Sequence, residues 1–244
     1  MKQNKYDDPE FFAEYAQMPR SVDGLAAAGE WSAFRGLLPD LHGVRVLDLG
    51  CGYGWHCQYV AEQGASTVVG VDLSAQMIEK AQSMTTGKNI RFVQTAIEDF
   101  DAAPESFDLV LSSLAMHYIR DLAPVFSKIA DILVPNGVFC YSAEHPIFTA
   151  RSQQDWHYDA KGAKIHWPID HYFEEGERRA SFLGNEVIKY HRTIASHFQM
   201  LQAAGFMIDA LVEPTPSPEM VSRMGWQDEL RRPMMIIFRA IKLQ

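Results

Sequence analysis

The chain has 244 residues, 47% of them apolar, which suits one sizeable α/β core rather than two full domains. A formal net charge of −9 speaks against wide nucleic-acid contact, which needs a basic face to displace counterions. Three cysteines without paired spacing (Cys51, Cys57, Cys140) point to a reducing compartment and to no metal site; a polar, acidic start and no apolar run near ~20 residues exclude a signal peptide and a membrane span, so the chain is read as cytoplasmic.

In chain order, Phe11, Phe12, Tyr15 and Met18 recur at helical spacing, and Pro19 is expected to end that helix. A second short helix is expected over residues 25–38. The first strand covers 44–49. Its helix runs over 55–63 and stops at Gly64, a C-cap signal. A strand over 67–72 follows, and Ser74 is placed to cap a helix through Met84. Strands are expected at 90–94 and 107–112, with an acidic loop at 98–106 between them. A helix over 122–133 leads through the turn Pro135-Asn136-Gly137 into a strand at 138–143. Residues 145–190 are rich in aromatics and histidines and lack a clear period; an insertion this long is usually functional. A helix over 193–204, a strand over 206–212, a loop marked by Pro214, Pro216 and Pro218, and a last strand over 234–242 complete the chain.

Two runs carry the chemistry. Val46-Leu47-Asp48-Leu49-Gly50-Cys51-Gly52-Tyr53-Gly54 is an apolar strand entering a glycine-rich turn, and Val68-Val69-Gly70-Val71-Asp72 is a second strand ending in an acid. Together they make a nucleoside-binding βαβ unit. Glycines let backbone approach a ligand where a side chain would clash. The terminal acid can accept both hydrogen bonds of a ribose diol. A dinucleotide fingerprint needs a third glycine where this chain has Trp55. Asp48 would be repelled by a pyrophosphate but attracted by a sulfonium and an ammonium. The pattern favours S-adenosylmethionine over NAD.

On these residues, 44–144 resembles a class I S-adenosylmethionine-dependent methyltransferase. The resemblance implies an α/β fold: a doubly wound, mostly parallel seven-stranded sheet of order 3-2-1-4-5-7-6, strand seven antiparallel. It implies one domain over 1–244, with an N-terminal helical cap (1–40), a cofactor-binding half (44–144), a substrate-lid insertion (145–190) and a C-terminal helix and strands (191–244). Asp48, Gly50 and Gly52 would serve the methionine part of the cofactor and Asp72 its ribose. Leu73 and Met77 would touch adenine, beside Ala96, Ile97 and Glu98 of the next loop. Where relatives often carry an acid for the adenine amino group, this chain has Ala96. Ser112 would sit on the cofactor side.

His117, after the fourth strand, is the candidate general base, since an unperturbed imidazole titrates near neutrality; lining the acceptor pocket is its other role. Glu144 and His145, at the same sheet edge, are candidate substrate contacts. Tyr6 and Tyr15 lie in a segment that caps the pocket in relatives. Arg192 could hold a substrate carboxylate bidentately. The expected reaction is methyl transfer to an O or N atom of a small metabolite, with no membrane or nucleic-acid partner. The alternatives are a carrier-bound acyl group or a tRNA base as acceptor, or a non-catalytic cofactor-binding module.

Overall fold

The computed structural model describes residues 3–244; Met1 and Lys2 of the expected cap lie outside them. In the N-terminal arm, the Asp8 carboxylate accepts the Glu10 and Phe11 N–H groups, and Pro9 supplies the fixed φ of a first turn, so α1 (Pro9–Ala16) starts there. Pro19 does not end this helix. It opens α2 (Pro19–Val22), where its missing N–H costs nothing. The helix expected over 25–38 is two pieces, a 3-10 turn Gly24–Ala27 and α3 (Trp31–Gly36), with a turn at Gly29 and Glu30 between them.

The core alternates as the sequence suggests: β1 (Arg45–Leu49), α4 (Trp55–Glu62), β2 (Thr67–Asp72), α5 (Ala75–Met84), β3 (Ile90–Gln94), β4 (Phe107–Ser113), α6 (Ala123–Ile132) and β5 (Leu133–Glu144). β5 begins before the Pro135–Gly137 turn rather than after it. Phe107 pairs with Leu133 and Leu109 with Val138, so the turn bulges out of a strand that continues on either side. The insertion contains α7 (Pro146–Thr149) and two hairpins, β6 (His157–Tyr158) with β7 (Lys164–His166) and β8 (Gly176–Phe182) with β9 (Asn185–His191). The second hairpin reverses at Leu183 and Gly184, both at positive φ, as a tight primed turn requires. Then come α8 (Ile194–Ala203), β10 (Phe206–Val212), α9 (Pro218–Met224) and β11 (Met235–Lys242). α9 lies in the segment read as a loop. Its signals are present: Ser217 caps it, Pro218 opens it and Gly225 closes it.

Seven strands form one sheet of order β10-β11-β5-β4-β1-β2-β3, with β11 antiparallel to both neighbours. Counted within the sheet this is 3-2-1-4-5-7-6. Side chains alternate between its faces. Leu47, Leu49, Val69, Val71 and Val110 pack under α6 and α8, while Val46, Val68, Leu109 and Leu111 pack with Phe34, Cys57 and Val60 of α3 and α4. Burial on both faces explains the unbroken apolar runs of β1, β2 and β4. A third cluster joins Phe11 of the arm to Ala180 and Val187 of the β8–β9 hairpin. Arm and hairpin therefore meet as one cover over the carboxyl edge of the sheet. Among the described residues no helix is long and apolar enough to cross a membrane.

Candidate functional site

The strand order reverses between β1 and β4, and the crevice of a doubly wound sheet opens at the carboxyl ends there. A cavity of about 780 Å³ occupies that place. Its floor is the turn after β1. Gly50 and Gly52 have φ of +77° and +52°. A Cβ on Gly50 would stand 2.4 Å from the Ala115 Cβ, so only glycine lets the two loops touch. The Gly50 and Cys51 N–H groups both donate to the Val71 carbonyl, which fixes the turn against β2.

Asp72 ends β2 at the cavity wall. One carboxylate oxygen accepts the Gly52 N–H at 2.9 Å and the other the Ser74 N–H at 2.9 Å. Burial pushes this carboxyl up, against those two bonds. Each oxygen keeps a further lone pair, so a diol can still be received. Leu73, Met77, Ala96, Ile97 and Glu98 line the wall beyond Asp72, and Gly50, Gly52, Tyr6, Tyr15, His117 and Glu144 line the rest.

Four of the expected residues lie outside the cavity wall. Asp48 is fully buried beneath the turn; its Oδ2 accepts the Cys57 thiol at 3.3 Å, its Oδ1 has no partner, and burial pushes the carboxyl up to about 7. Ser112 points the other way because strand alternation turns it inward, where it donates to the Leu49 carbonyl at 2.7 Å; Ser113 takes the cavity position. His145 caps α7 through Nδ1 and meets Glu213 through Nε2 at 2.7 Å. Arg192 is spent on the Ile119 and Arg120 carbonyls, at 2.7 Å each, and so ties the end of the hairpin to the loop after β4.

His117 has its ring in the wall, and its Nδ1 accepts the Glu144 backbone N–H at 3.4 Å. That acceptor role puts the proton on Nε2. Burial, with Lys189 and Arg192 nearby, holds the imidazole down at about 4, against the opposing pull of Glu144. The ring is therefore neutral near pH 7 and presents an N–H. This changes the expectation of a general base, whose free lone pair the geometry does not supply.

Sequence reading misses three groups. Lys189, on β9, is 2% exposed; its ammonium donates to Glu144 Oε1 at 2.5 Å and Gln154 Oε1 at 3.1 Å, while Gln154 Nε2 donates to Glu144 Oε2 at 3.1 Å. This closed triangle lines the same cavity as Asp72 and the glycine turn. Burial would push the Glu144 carboxyl up, but His117 and Lys189 outweigh it and hold it down. Arg20, paired with Glu30, also lines the cavity, with Trp55, whose indole N–H is buried without a partner. Asp7 fastens the arm to α5, accepting the Ser74 hydroxyl at 2.6 Å and the Gln76 N–H at 3.1 Å. A lone lysine on an aperiodic segment and an acid before a helix carry no signal of such long-range partners.

The positive-φ cradle, the acid after β2 and the orphaned indole N–H fit a ligand with a ribose and a carboxylate. A methyltransferase domain model matches residues 46–137. A solved structure from Listeria monocytogenes, assigned to the S-adenosylmethionine dependent methyltransferases, is 47% identical with a TM-score of 0.86, over 91% of this chain and all of that one. An S-adenosylmethionine dependent methyltransferase from Mesorhizobium loti is 39% identical with a TM-score of 0.84, over 90% of this chain and all of its own. An uncharacterized protein of Haemophilus influenzae is 33% identical over 98% of this chain and 97% of its own length.

Proposed function

The chain belongs to the S-adenosylmethionine-dependent methyltransferases, and from that premise we propose that it methylates an oxygen or nitrogen atom of a small metabolite. The observation that carries this is one continuous cavity, running from Asp72 and the glycine turn to His117, Glu144 and Lys189. Its volume, about 780 Å³, falls in the range of small-molecule sites, roughly 300–1,000 Å³. It leaves room for an acceptor of metabolite size beside the cofactor.

In this reading Asp72 receives the ribose, and Leu73, Met77, Ala96, Ile97 and Glu98 surround the adenine. The backbone of Gly50 and Gly52, with Arg20 and the Trp55 indole, holds the methionine part. When bound, S-adenosylmethionine supplies an already activated methyl group. What remains for the protein is to align the acceptor and exclude water. Tyr6 and Tyr15 from the arm and Lys189 from the hairpin close the cavity from above, with the described part of the arm, residues 3–40, as cap and 145–190 as lid. His117 holds the acceptor by donating its Nε2 hydrogen. The charge of −9 favours a free metabolite over a nucleic acid.

The test is calorimetry with S-adenosylmethionine, S-adenosylhomocysteine and NAD, followed by transfer of labelled methyl into a small-metabolite extract. Binding of the first two and labelling of the extract are expected. NAD binding, or no labelling with the cofactor bound, would refute the reading.

A further inference from the structure

We infer, resting on the methyl-transfer reading above, that the acceptor atom is a carboxylate oxygen and the product a methyl ester, because among the described residues the acceptor end of the cavity offers hydrogen-bond donors around Lys189 and His117, while the His117 Nδ1 lone pair and the Glu144 carboxylate there are already paired. His56, on α4 in the cavity wall, packs on Trp31 and Phe34 and is held down at about 3 by burial; the groups beside Lys189 are engaged. His117 Nδ1 accepts the Glu144 N–H, so the ring turns an N–H outward. Both Glu144 oxygens accept from side chains, one from Lys189 and one from Gln154. Asp72 keeps a lone pair on each oxygen, but it ends β2, where this reading places the ribose, and not beside Lys189. Glu98 follows β3, at the far side of β2 and β1 from the acceptor end. The Tyr6 and Tyr118 hydroxyls are paired with each other, and burial raises both.

The acceptor must therefore arrive ready to react. At neutral pH amines, phenols and thiols are mostly protonated, with ordinary pKa values of about 10.4, 10 and 8.5, and alcohols more so; carboxylic acids, near 4, are already ionised. An imidazole held at about 4 would be too weak a base for the others in any case.

The donors favour oxygen as well. Lys189 uses two of its three hydrogens on Glu144 and Gln154, and Gln154 uses one of its two amide hydrogens on Glu144. One Lys189 hydrogen, one Gln154 hydrogen and the His117 Nε2–H remain for a ligand. Carboxylate oxygens accept such bonds strongly, and thiolate sulfur does so weakly.

The step balances without a proton. A carboxylate lone pair forms the O–CH₃ bond as the S–CH₃ bond breaks, and that bonding pair stays on sulfur. An anion and a sulfonium become a neutral ester and a neutral thioether. Such charge neutralisation is favoured in a water-poor cavity, where opposite charges attract more strongly than in bulk water.

The experiment supplies methyl-labelled S-adenosylmethionine with short mono-, di- and tricarboxylic acids, each alongside its matched alcohol and amine, and with a small-metabolite extract. Products are treated with dilute alkali, which frees volatile methanol from esters only. Alkali-labile label on acids or in the extract, with kcat/KM flat between pH 6 and 9, is expected. Alkali-stable label, or label on alcohols or amines alone, overturns the carboxylate assignment and leaves methyl transfer standing. No label anywhere, with S-adenosylhomocysteine still bound, overturns the methyl-transfer reading itself.

A second measurement follows binding without turnover. The best acid is titrated into the protein loaded with S-adenosylhomocysteine. Its affinity should fall at least tenfold in Lys189→Met and largely return in Lys189→Arg, with S-adenosylhomocysteine affinity unchanged. Because Lys189→Met leaves Glu144 buried without its counter-ion, Lys189→Met with Glu144→Gln is the folding-safe form of the same test. Unchanged acid affinity in that double variant overturns the role of Lys189.

Discussion

Asp7 and Asp72 are joined through a single residue. The Ser74 N–H donates to Asp72 at 2.9 Å, and the Ser74 hydroxyl donates to Asp7 at 2.6 Å while accepting the Met77 N–H at 3.1 Å. The acid placed at the ribose and the acid that fastens the arm thus share the cap of α5.

Asp7→Ala should loosen the arm without unfolding the sheet. It removes bonds from Ser74, Ala75 and Gln76, a capping loss of about 0.5–2 kcal/mol. Hydrogen exchange at residues 3–16 should speed up, and S-adenosylhomocysteine should dissociate faster. Unchanged dissociation would separate the arm from cofactor retention.

Asp72→Ala should weaken S-adenosylhomocysteine binding by about 1–3 kcal/mol, through lost bonds to the ribose and a loosened Gly52 N–H. Calorimetry measures it, with circular dichroism to check the fold. Full affinity in the variant would remove Asp72 from the site.

Gly50→Ala and Gly52→Ala should differ. Both residues sit at positive φ, which costs a non-glycine residue roughly 1–2 kcal/mol. A Cβ at Gly50 also meets Ala115 at 2.4 Å, adding an overpacking cost of about 1–3 kcal/mol. A Cβ at Gly52 meets nothing within 4 Å. Denaturant unfolding should show the larger loss for Gly50→Ala, while both variants lose cofactor affinity.

Stability should fall as pH drops below about 6.5. Burial holds His56 down at about 3, His117 at about 4 and His197 at about 3. The unfolded chain takes up these protons from about 6.5 downward, and the folded chain only near those values. Each histidine then lowers stability by up to about 1.4 kcal/mol per pH unit across that window. Asp48 acts oppositely: with its carboxyl pushed up to about 7, the folded state holds the extra proton between about 3.9 and 7 and loses that advantage as pH rises. Asp48→Asn should therefore raise the unfolding midpoint at pH 8 and matter little at pH 4. Thermal unfolding from pH 8 to 4 checks both.

The sequence by itself determined the sheet, its order through the resemblance, and the turn that faces the cavity. Those features are local: apolar runs buried on both faces, glycines at positive φ, an acid at a strand end. Gly50, Gly52 and Asp72 are legible because backbone geometry within a few residues dictates them. Only the tertiary structure decided the rest. Asp48 and Ser112 carry the right chemistry at the right spacing, yet packing and strand alternation turn them inward. Arg192 is drawn to two carbonyls more than 70 residues away, and Lys189 meets a carboxylate 45 residues before it. His117 Nδ1 is taken up by one backbone N–H on β5. Pairings of that range arise from how the hairpin and arm settle on the sheet, and neither period nor spacing encodes them.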